Sequence, residues 1–240
     1  MDQDTFNELA DIALKASGQV IPASKVYLVE ARLANIARRV GLASMADLVG
    51  CLKARPNPVL EAEVGAALAS HDTRFFRNRA SLKHAVETFL PMRAENAQAG
   101  KLRIWCAGGA SGQEAYSLAI LLGETKDGPL TDLQIDIVST DFCSEVTDRA
   151  RSGLFSHFEV QKGLSIQRLL KHFKRQENEQ WQISEKLRSR ISFRKHNLLE
   201  DMNGLGSFDL IFCRNVFTNL ARSVHRDIAE RLGAQLVEGG

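Results

Sequence analysis

The chain has 240 residues, 44% of them hydrophobic and 25% charged, a mix typical of a folded globular protein with a sizeable core. Its net charge of +2 gives no overall field that would favour nucleic acid or a membrane surface. The N-terminus lacks the basic and apolar regions of a signal peptide, and no run of about 18 apolar residues occurs, so we expect a cytoplasmic protein without membrane insertion.

Residues 1 to about 95 follow the 3.6-residue period of amphipathic helices, which predicts an all-α N-terminal domain. The first helix follows Phe6, Leu9 and Ala13 and ends at Gly18. The next three lie in "SKVYLVEARLANIARRVGL", "SMADLVGCLKAR" and "VLEAEVGAALAS". The second helix has a basic face opposite its apolar stripe, formed by Lys25, Arg32, Arg38 and Arg39. A charged face of this kind is most often simply solvated.

The pattern changes near Lys101. Four short apolar runs, each followed by turn residues, alternate with helical patterns: "LRIWCAG", "QIDIVSTD", "RISFRKHN" and "FDLIFCRN". This alternation predicts an α/β domain over residues 96–240 with a mostly parallel, Rossmann-like sheet, whose ligands bind at the carboxyl ends of the strands. The predicted linker is "RAENAQAGK", and the polar run "KRQENEQWQISEKLRS" predicts a small β insertion at about residues 156–192.

The cysteines show no paired C-x-x-C spacing; they are Cys51, Cys106, Cys143 and Cys213. Most lie inside apolar runs, where a free cysteine behaves as a small core residue. A metal cluster of the last three is conceivable, but reduced and buried thiols are favoured over metal ligands or disulfides. We therefore predict no metal site.

The turn after the first strand, "CAGGASG", contains Gly108, Gly109 and Gly112 but no lysine, so it is not a P-loop. Its spacing also differs from the dinucleotide motif, and Glu114 at the start of the next helix would repel a pyrophosphate. Both features disfavour a nicotinamide-dependent oxidoreductase. Asp141 ends the second strand, where α/β sites bind ribose hydroxyls. Together these residues suggest S-adenosylmethionine as the cofactor.

Five segments, in order, resemble the chemoreceptor glutamate methyltransferases (the CheR family). They are "TRFFRN" from Thr73, "RIWCAGGASGQEAYSLAILL", "IVSTDFCSEVTDRARSGLF", "NLL" from Asn197 and "FDLIFCRNV" from Phe208. The resemblance covers most of residues 5–240. It implies a helical N-terminal domain, a methyltransferase domain that binds S-adenosylmethionine, and a small β subdomain inserted before the third strand.

The resemblance also implies roles for single residues. Thr73 and Arg77 match the segment that caps the cofactor, and Arg77 matches an arginine close to the transferred methyl group, so it is the candidate catalytic residue. Glu114 matches an acidic cofactor contact, and Asp141 matches the acid that binds the ribose. The positions that line the adenine and ribose are matched by Asn197, Leu198, Asn215 and Val216.

The implied reaction transfers a methyl group from S-adenosylmethionine to glutamate side chains of chemoreceptors and leaves S-adenosylhomocysteine. In this family, acidic helical segments of the receptor's cytoplasmic part dock on basic residues of an N-terminal helix. The residues that match this docking surface are Lys25, Arg32, Arg38 and Arg39.

Two further expectations concern particular segments. The polar insertion looks shorter than in family members that tether to the C-terminal pentapeptide of a receptor, so we expect no such tether. The sequence ends at "LVEGG", where the family continues into further strands. Without them "FDLIFCRN" would be an exposed sheet edge, so we expect that C-terminal strands are missing from this sequence.

Several residues depart from the family pattern. His71 and Arg74 replace an asparagine and a small or polar residue near the cofactor pocket, and Asn219 stands where the family has a tyrosine. These departures leave open an alternative, a catalytically weak or silent relative that binds S-adenosylmethionine or S-adenosylhomocysteine and acts as a signalling or docking module. We assign no catalytic role to His71 or His84, because neither has a partner acid at a suggestive spacing.

Overall fold

The computed structural model describes residues 1–95 and 100–240, so that part of the predicted linker, residues 96–99, lies outside the described residues. The chain divides into two compact units. The first unit comprises Met1–Ser70, Asn197–Glu200 and Asn215–Glu230. The second unit comprises His71–His196, Asp201–Arg214 and Arg231–Gly240. The division therefore falls at residue 70 and not near residue 95, because the apolar side chains that follow, such as Phe75 and Leu82, belong to the core of the second unit.

The N-terminal helices of the first unit lie where the periodicity predicts them. They are α1 (Gln3–Ser17), α2 (Val26–Arg39), α3 (Met45–Ala54) and α4 (Pro58–Leu68). Three of them have an N-cap side chain that accepts a hydrogen bond from a main-chain amide of the first turn: Asp2 for α1, Ser44 for α3 and Asn57 for α4. Their apolar faces meet in a core that includes Leu9, Leu33, Leu48 and Val64, all fully buried.

The helices of the second half of the chain are interleaved with its strands. A helical stretch is formed by α5 (Arg79–His84), a π-helical turn (Ala85–Phe89) and α6 (Leu90–Glu95). The later helices are α7 (Gln113–Glu124), α8 (Ser144–Ser152), α9 (His157–Gln161), α10 (Ile166–His172), α11 (Glu185–Arg188) and α12 (Arg222–Ala234). Within the two described ranges, no helix is sufficiently long and apolar to cross a lipid bilayer.

The strands form two sheets. The strands are β1 (Lys101–Ala107), β2 (Gln134–Asp141), β3 (Leu154–Phe155), β4 (Phe173–Arg175), β5 (Trp181–Ile183), β6 (Ile191–Lys195) and β7 (Leu210–Phe212). The larger sheet is parallel, in the order β6-β2-β1-β7, and a small antiparallel sheet has the order β3-β5-β4. The prediction of an α/β fold with a parallel sheet, a small β insertion and a helical N-terminal part is confirmed.

The order of the parallel strands fixes where a ligand can bind. The chain runs outward from β1 through β2 to β6 and then returns to the other side of β1 with β7. In such a sheet the crevice lies at the carboxyl ends of the strands beside the point where the order reverses. The turns that follow β1, β2 and β7 therefore form one edge, which we call the carboxyl edge.

Candidate functional site

The turn between β1 and α7 is held tightly against the end of β2. The amide of Gly109 donates a hydrogen bond of 2.9 Å to the carbonyl of Thr140. A Cβ atom on Gly109 would lie 2.2 Å from the Oγ atom of Ser139, so a side chain cannot be accommodated at this position without movement. Gly112, which precedes α7, has a φ of +90°, a conformation that side chains disfavour. The glycines therefore serve to bring the turn close to Asp141.

The Asp141 carboxylate is oriented by main-chain amides. Its Oδ2 atom accepts a hydrogen bond of 3.0 Å from Ala110, and its Oδ1 atom accepts one of 3.1 Å from Cys143. The side chain is 10% exposed. Because each carboxylate oxygen can accept more than one hydrogen bond, both can also accept from the hydroxyls of a ribose.

His71 lies closer to this acid than the sequence suggested. Its Nδ1 atom is 3.7 Å from the Oδ1 atom of Asp141, a partner acid that no suggestive spacing in the sequence indicated. The two residues are far apart along the chain, and local spacing could not reveal the pair.

Glu114 lies in the first turn of α7 and faces two arginines. Its Oε2 atom is 3.3 Å from the Nε atom of Arg214, and both side chains are about six-sevenths buried, with 14% and 15% exposed. Burial raises the pKa of the Glu114 carboxyl above its usual value, although the positive charges of Arg214 and Arg77 act in the opposite direction. Glu114 is thus a buried acid whose charge depends on its cationic neighbours.

The segment "TRFFRN" is anchored by its two phenylalanines. Phe75 is buried and packs edge-to-face against Phe155 and Phe173, with ring centroids 5.0 and 5.6 Å apart. Phe76 has a φ of +52°, and its amide donates a hydrogen bond of 2.8 Å to the Oγ atom of Ser117. A left-handed conformation costs a non-glycine residue about 1–2 kcal/mol, which this packing must offset.

Arg77 lies between two left-handed residues, Phe76 and Asn78, and is therefore held on a sharp bend of the backbone. Its Nη1 atom donates a hydrogen bond of 2.9 Å to the carbonyl of Asp72 and lies 3.5 Å from the Asp72 carboxylate. Its own carbonyl accepts a hydrogen bond from Arg214. The candidate catalytic arginine is thus connected to Glu114 through Arg214.

Thr73 opens onto a cleft next to the glycine turn. The cleft has a volume of about 190 Å³ and is lined in part by His71, Thr73, Ser111, Gln113 and Lys162. Ser111 donates a hydrogen bond of 2.9 Å to the side chain of Gln113, which is buried. The cleft brings Thr73 together with Gln113 at the start of α7, and the cofactor role of Thr73 stays a prediction.

The four residues expected to line the adenine and ribose belong to the first unit; they are Asn197, Leu198, Asn215 and Val216. Asn197 donates a hydrogen bond of 2.7 Å to the carbonyl of Ala16. The carbonyl of Asn215 accepts bonds of 3.2 Å from Thr218 and Asn219. Asn197 and Asn215 thus have structural contacts within the first unit, and the cofactor role of all four stays a prediction.

The basic residues near α2 differ in their contacts. The Nη1 atom of Arg32 donates hydrogen bonds to three carbonyls at the end of α4, 3.4, 3.0 and 2.8 Å long, from Ala67, Leu68 and Ala69 in that order. Arg39 pairs with Glu63. Arg38 contacts Asn35, and Lys25 ends a short 3₁₀ turn ahead of α2. Arg32, although exposed, therefore also holds the end of α4, whatever it contributes to docking.

Sequence reasoning did not assign a role to Arg214. The residue was quoted only as part of "FDLIFCRNV", between the strand and the predicted Asn215. Its contacts with Glu114 and Arg77 join segments that lie far apart in the sequence. The available signal was a charged residue two positions after a parallel strand, at the carboxyl edge.

The chemistry of these side chains fits S-adenosylmethionine. The molecule presents two ribose hydroxyls, a positively charged sulfur, an ammonium group and a carboxylate. Asp141 can accept from the hydroxyls, and Glu114 can pair with a cation. The turn from Gly108 to Gly112 contains no lysine to bind a phosphate, and S-adenosylmethionine has no phosphate group.

Comparison with known proteins identifies the family. The family model "CheR methyltransferase, SAM binding domain" matches residues 71–240. The chain is 32% identical over 237 residues to chemotaxis protein methyltransferase Cher2 of Pseudomonas putida, covering 98% of this chain and 86% of that protein. It is 32% identical to chemotaxis protein methyltransferase 1 of Pseudomonas aeruginosa, covering 94% of this chain and 83% of that protein. The corresponding protein of Vibrio cholerae is 29% identical, with coverages of 93% and 81%.

These matches confirm the resemblance found in the sequence and the prediction of S-adenosylmethionine as cofactor. The matched domain begins at residue 71, which is also the first residue of the second unit. The chain belongs to the CheR family of methyltransferases, and S-adenosylmethionine is its methyl donor.

Proposed function

We propose that this chain transfers a methyl group from S-adenosylmethionine to glutamate side-chain carboxylates of chemoreceptors. The observation that carries the proposal is the pair of arginines, Arg77 and Arg214, beside the buried Glu114 at the carboxyl edge. A site that brings an anionic acceptor to a methyl donor needs fixed positive charge, and planar guanidinium groups bind carboxylates through paired hydrogen bonds. The relatives named as chemotaxis protein methyltransferases support methyl transfer in chemotaxis.

The reaction requires placement more than acid–base chemistry. When bound, S-adenosylmethionine supplies an electrophilic methyl group, so that a carboxylate lone pair forms the new C–O bond while the C–S bond breaks and a neutral thioether leaves. A glutamate side chain is already ionised at neutral pH and needs no general base. Arg77 orients the incoming carboxylate, Asp141 binds the ribose and Glu114 pairs with the ammonium group. The cofactor roles that the resemblance implies for Thr73, Asn197, Leu198, Asn215 and Val216 are part of the proposal.

The first unit is proposed to dock the receptor. The basic residues Lys25, Arg32, Arg38 and Arg39 would face acidic helices of a receptor's cytoplasmic part, which also places the reaction in the cytoplasm. The carbonyl contacts of Arg32 occupy one of its nitrogens, so Arg38 carries more of the expected electrostatic attraction. Such a surface acts mainly on the association rate and its salt dependence. A tether to a receptor pentapeptide is not part of the proposal.

A second candidate function is binding without transfer. It is favoured by Asn219, which stands in place of the family's tyrosine and whose amide donates a hydrogen bond to the carbonyl of Asn215. If the missing phenol group is needed to shape the methyl-transfer pocket, the protein would bind S-adenosylmethionine or S-adenosylhomocysteine and act as a signalling or docking module.

Transfer of a labelled methyl group to a receptor cytoplasmic fragment tests the proposal. We expect label in the wild-type receptor fragment, loss of label when acceptor glutamates are changed to glutamine, and release of volatile label under alkali, as a methyl ester requires. Arg77→Met should abolish transfer and leave binding of S-adenosylhomocysteine measurable. Binding of S-adenosylhomocysteine with no transfer to any receptor fragment would instead support the second candidate. Alkali-stable label would contradict carboxylate methylation.

A further inference from the structure

An arginine of the β insertion reaches the segment "TRFFRN". Arg168 lies on α10, and its guanidinium carbon is 4.4 Å from the centre of the Phe76 ring. Its Nε atom donates hydrogen bonds of 3.1 Å to both carboxylate oxygens of Glu124, and its Nη2 atom donates one of 2.6 Å. A planar guanidinium can stack on a ring and donate hydrogen bonds in its own plane at the same time, which an ammonium group cannot.

The pair of Arg168 and Glu124 is partly shielded from solvent. Their side chains are 16% and 24% exposed. The hydrogen bonds from Arg168 are the main reason why the pKa of Glu124 lies below its usual value. The amide of Arg168 also donates to the Oγ atom of Ser165, the N-cap residue of α10. Arg168 is therefore fixed at its main chain and at its guanidinium, with the ring of Phe76 beneath it.

A glycine of the insertion contacts the same segment. Gly163 lies between α9 and α10 and has a φ of +99°, and a Cβ atom on it would lie 1.9 Å from the carbonyl oxygen of Phe75. No side chain fits between this loop and the main chain of Phe75. The insertion thus packs on "TRFFRN" at two successive residues, through the main chain at Phe75 and through Arg168 at Phe76.

The conformation of Phe76 determines the direction of the residue that follows it. Phe76 has a φ of +52°, a left-handed conformation that is unfavourable for a side chain. Its amide donates to the Oγ atom of Ser117, which itself donates to the carbonyl of Gln113. If Phe76 relaxed to an ordinary conformation, the main chain would turn and Arg77 would point elsewhere. The stacking of Arg168 on the ring opposes that change.

We propose that Arg168 is a positioning residue for Arg77, because it holds the ring of Phe76 while Glu124 holds its guanidinium. The insertion then has a role that needs no peptide tether, which is to maintain the bend that orients Arg77. Glu124 lies ten residues after Glu114 on α7, about 15 Å along the helix axis, so the effect of Arg168 on the reaction acts through Phe76. The proposal rests on the proposed function only in that Arg77 takes part in methyl transfer.

The first arm of the test observes the segment itself and needs no turnover. Hydrogen exchange of the Phe76 amide and tryptic cleavage after Arg77, both in the native protein, measure how often the bend opens. Arg168→Ala should speed both by about tenfold or more, because the stacked cation is lost. Arg168→Lys keeps the charge without the paired hydrogen bonds and should have a smaller effect. Glu124→Gln should also give an intermediate result.

The second arm measures methyl transfer to a receptor cytoplasmic fragment. Arg168→Ala should lower kcat by about tenfold or more, because Arg77 is no longer held in place, and Arg168→Lys should recover part of the loss. The affinity for S-adenosylhomocysteine should change by less than about threefold, because Arg168 acts on the bend and not on the ligand. A wild type that transfers no methyl group would mean that the proposed function fails, and the first arm would still decide whether Arg168 holds the bend.

Arg188→Ala is the matched control. Arg188 lies in the same insertion, is 26% exposed and pairs with Glu185. The substitution should lower the melting temperature about as much as Arg168→Ala and leave exchange at Phe76, cleavage after Arg77 and kcat unchanged. The proposal is overturned if Arg168→Ala opens the bend no more than Arg188→Ala does. It is also overturned if Arg168→Ala opens the bend while kcat of an active wild type is retained.

Discussion

Two acids at the carboxyl edge, Asp141 and Glu114, are held in opposite ways. Asp141 is oriented by main-chain amides of Ala110 and Cys143, so its direction follows from the backbone of two turns. Glu114 is buried against the side chain of Arg214 and within the field of Arg77. The difference indicates that Asp141 suits a neutral ligand group that needs exact placement, whereas Glu114 suits a group whose charge it must balance.

The largest effect is expected for Asp141→Ala. The change removes the proposed acceptor for ribose hydroxyls and leaves the amides of Ala110 and Cys143 without this partner. S-Adenosylhomocysteine should therefore bind about 100-fold more weakly, a loss of about 2–3 kcal/mol. Calorimetric titration measures the change. Asp141→Asn keeps one acceptor oxygen and should have a smaller effect. Equal affinity in wild type and Asp141→Ala would show that Asp141 does not bind the ligand.

Gly109→Ala tests whether the backbone around Asp141 depends on close packing. The new methyl group would lie 2.2 Å from the Oγ atom of Ser139, so we expect the free energy of unfolding to fall by about 1–3 kcal/mol. Urea unfolding measures this loss. In a Ser139→Ala background the clash with the hydroxyl disappears, and most of the loss should be recovered. The same loss in both backgrounds would place the cause elsewhere in the turn.

The pH dependence of binding tests Glu114. In its proposed role the Glu114 carboxylate would pair with the ligand ammonium group only when ionised. Because burial raises its pKa, affinity should fall as pH decreases, starting at a higher pH than for an ordinary glutamate. Glu114→Gln should weaken binding of S-adenosylhomocysteine by about tenfold at neutral pH and flatten the profile.

A control ligand separates Glu114 from His71, which lies beside Asp141. 5′-Methylthioadenosine keeps the ribose and lacks the amino-acid part, so a contribution from His71 would affect both ligands. An identical pH profile for the two ligands would show that Glu114 is not responsible.

The smallest effect is expected for two arginines of the first unit, one bonded to the main chain and the other to a side chain. Arg32 is bonded to main-chain carbonyls of α4, whereas Arg39 pairs with the exposed side chain of Glu63. Arg32→Met should lower the free energy of unfolding by about 1–2 kcal/mol, because several carbonyls lose their donor. Arg39→Met should cost less than about 1 kcal/mol, as for other surface ion pairs. Urea unfolding measures the free energy of unfolding of both variants. Equal losses would contradict the distinction between Arg32 and Arg39.

The sequence was sufficient for the elements that have a strong local signal. The four N-terminal helices, the four parallel strands and the glycine turn follow from periodicity, caps and turn residues. The family and its cofactor followed from ordered motifs. The boundary at residue 70 could not be predicted from the sequence. Nothing in the spacing of Phe75 and Phe76 indicates that their side chains belong to the core of the second unit.

Side-chain pairs between distant segments were also beyond the sequence. His71 with Asp141, Glu114 with Arg214, and Arg32 with the end of α4 each depend on how the chain folds back on itself. These pairs decide which charges are available to a ligand or partner. For this reason the candidate residues could be named from motifs, while the electrostatic character of the site required the structure.

One measurement tests most directly whether Asp141 and Glu114 contact different parts of the cofactor. S-Adenosylhomocysteine and 5′-methylthioadenosine are titrated into wild type, Asp141→Asn and Glu114→Gln. We predict that Asp141→Asn weakens both ligands by a similar factor, because both carry the ribose, whereas Glu114→Gln weakens only S-adenosylhomocysteine. This assignment of roles would be contradicted if Glu114→Gln weakened binding of both ligands equally. It would also be contradicted if Asp141→Asn weakened binding of neither.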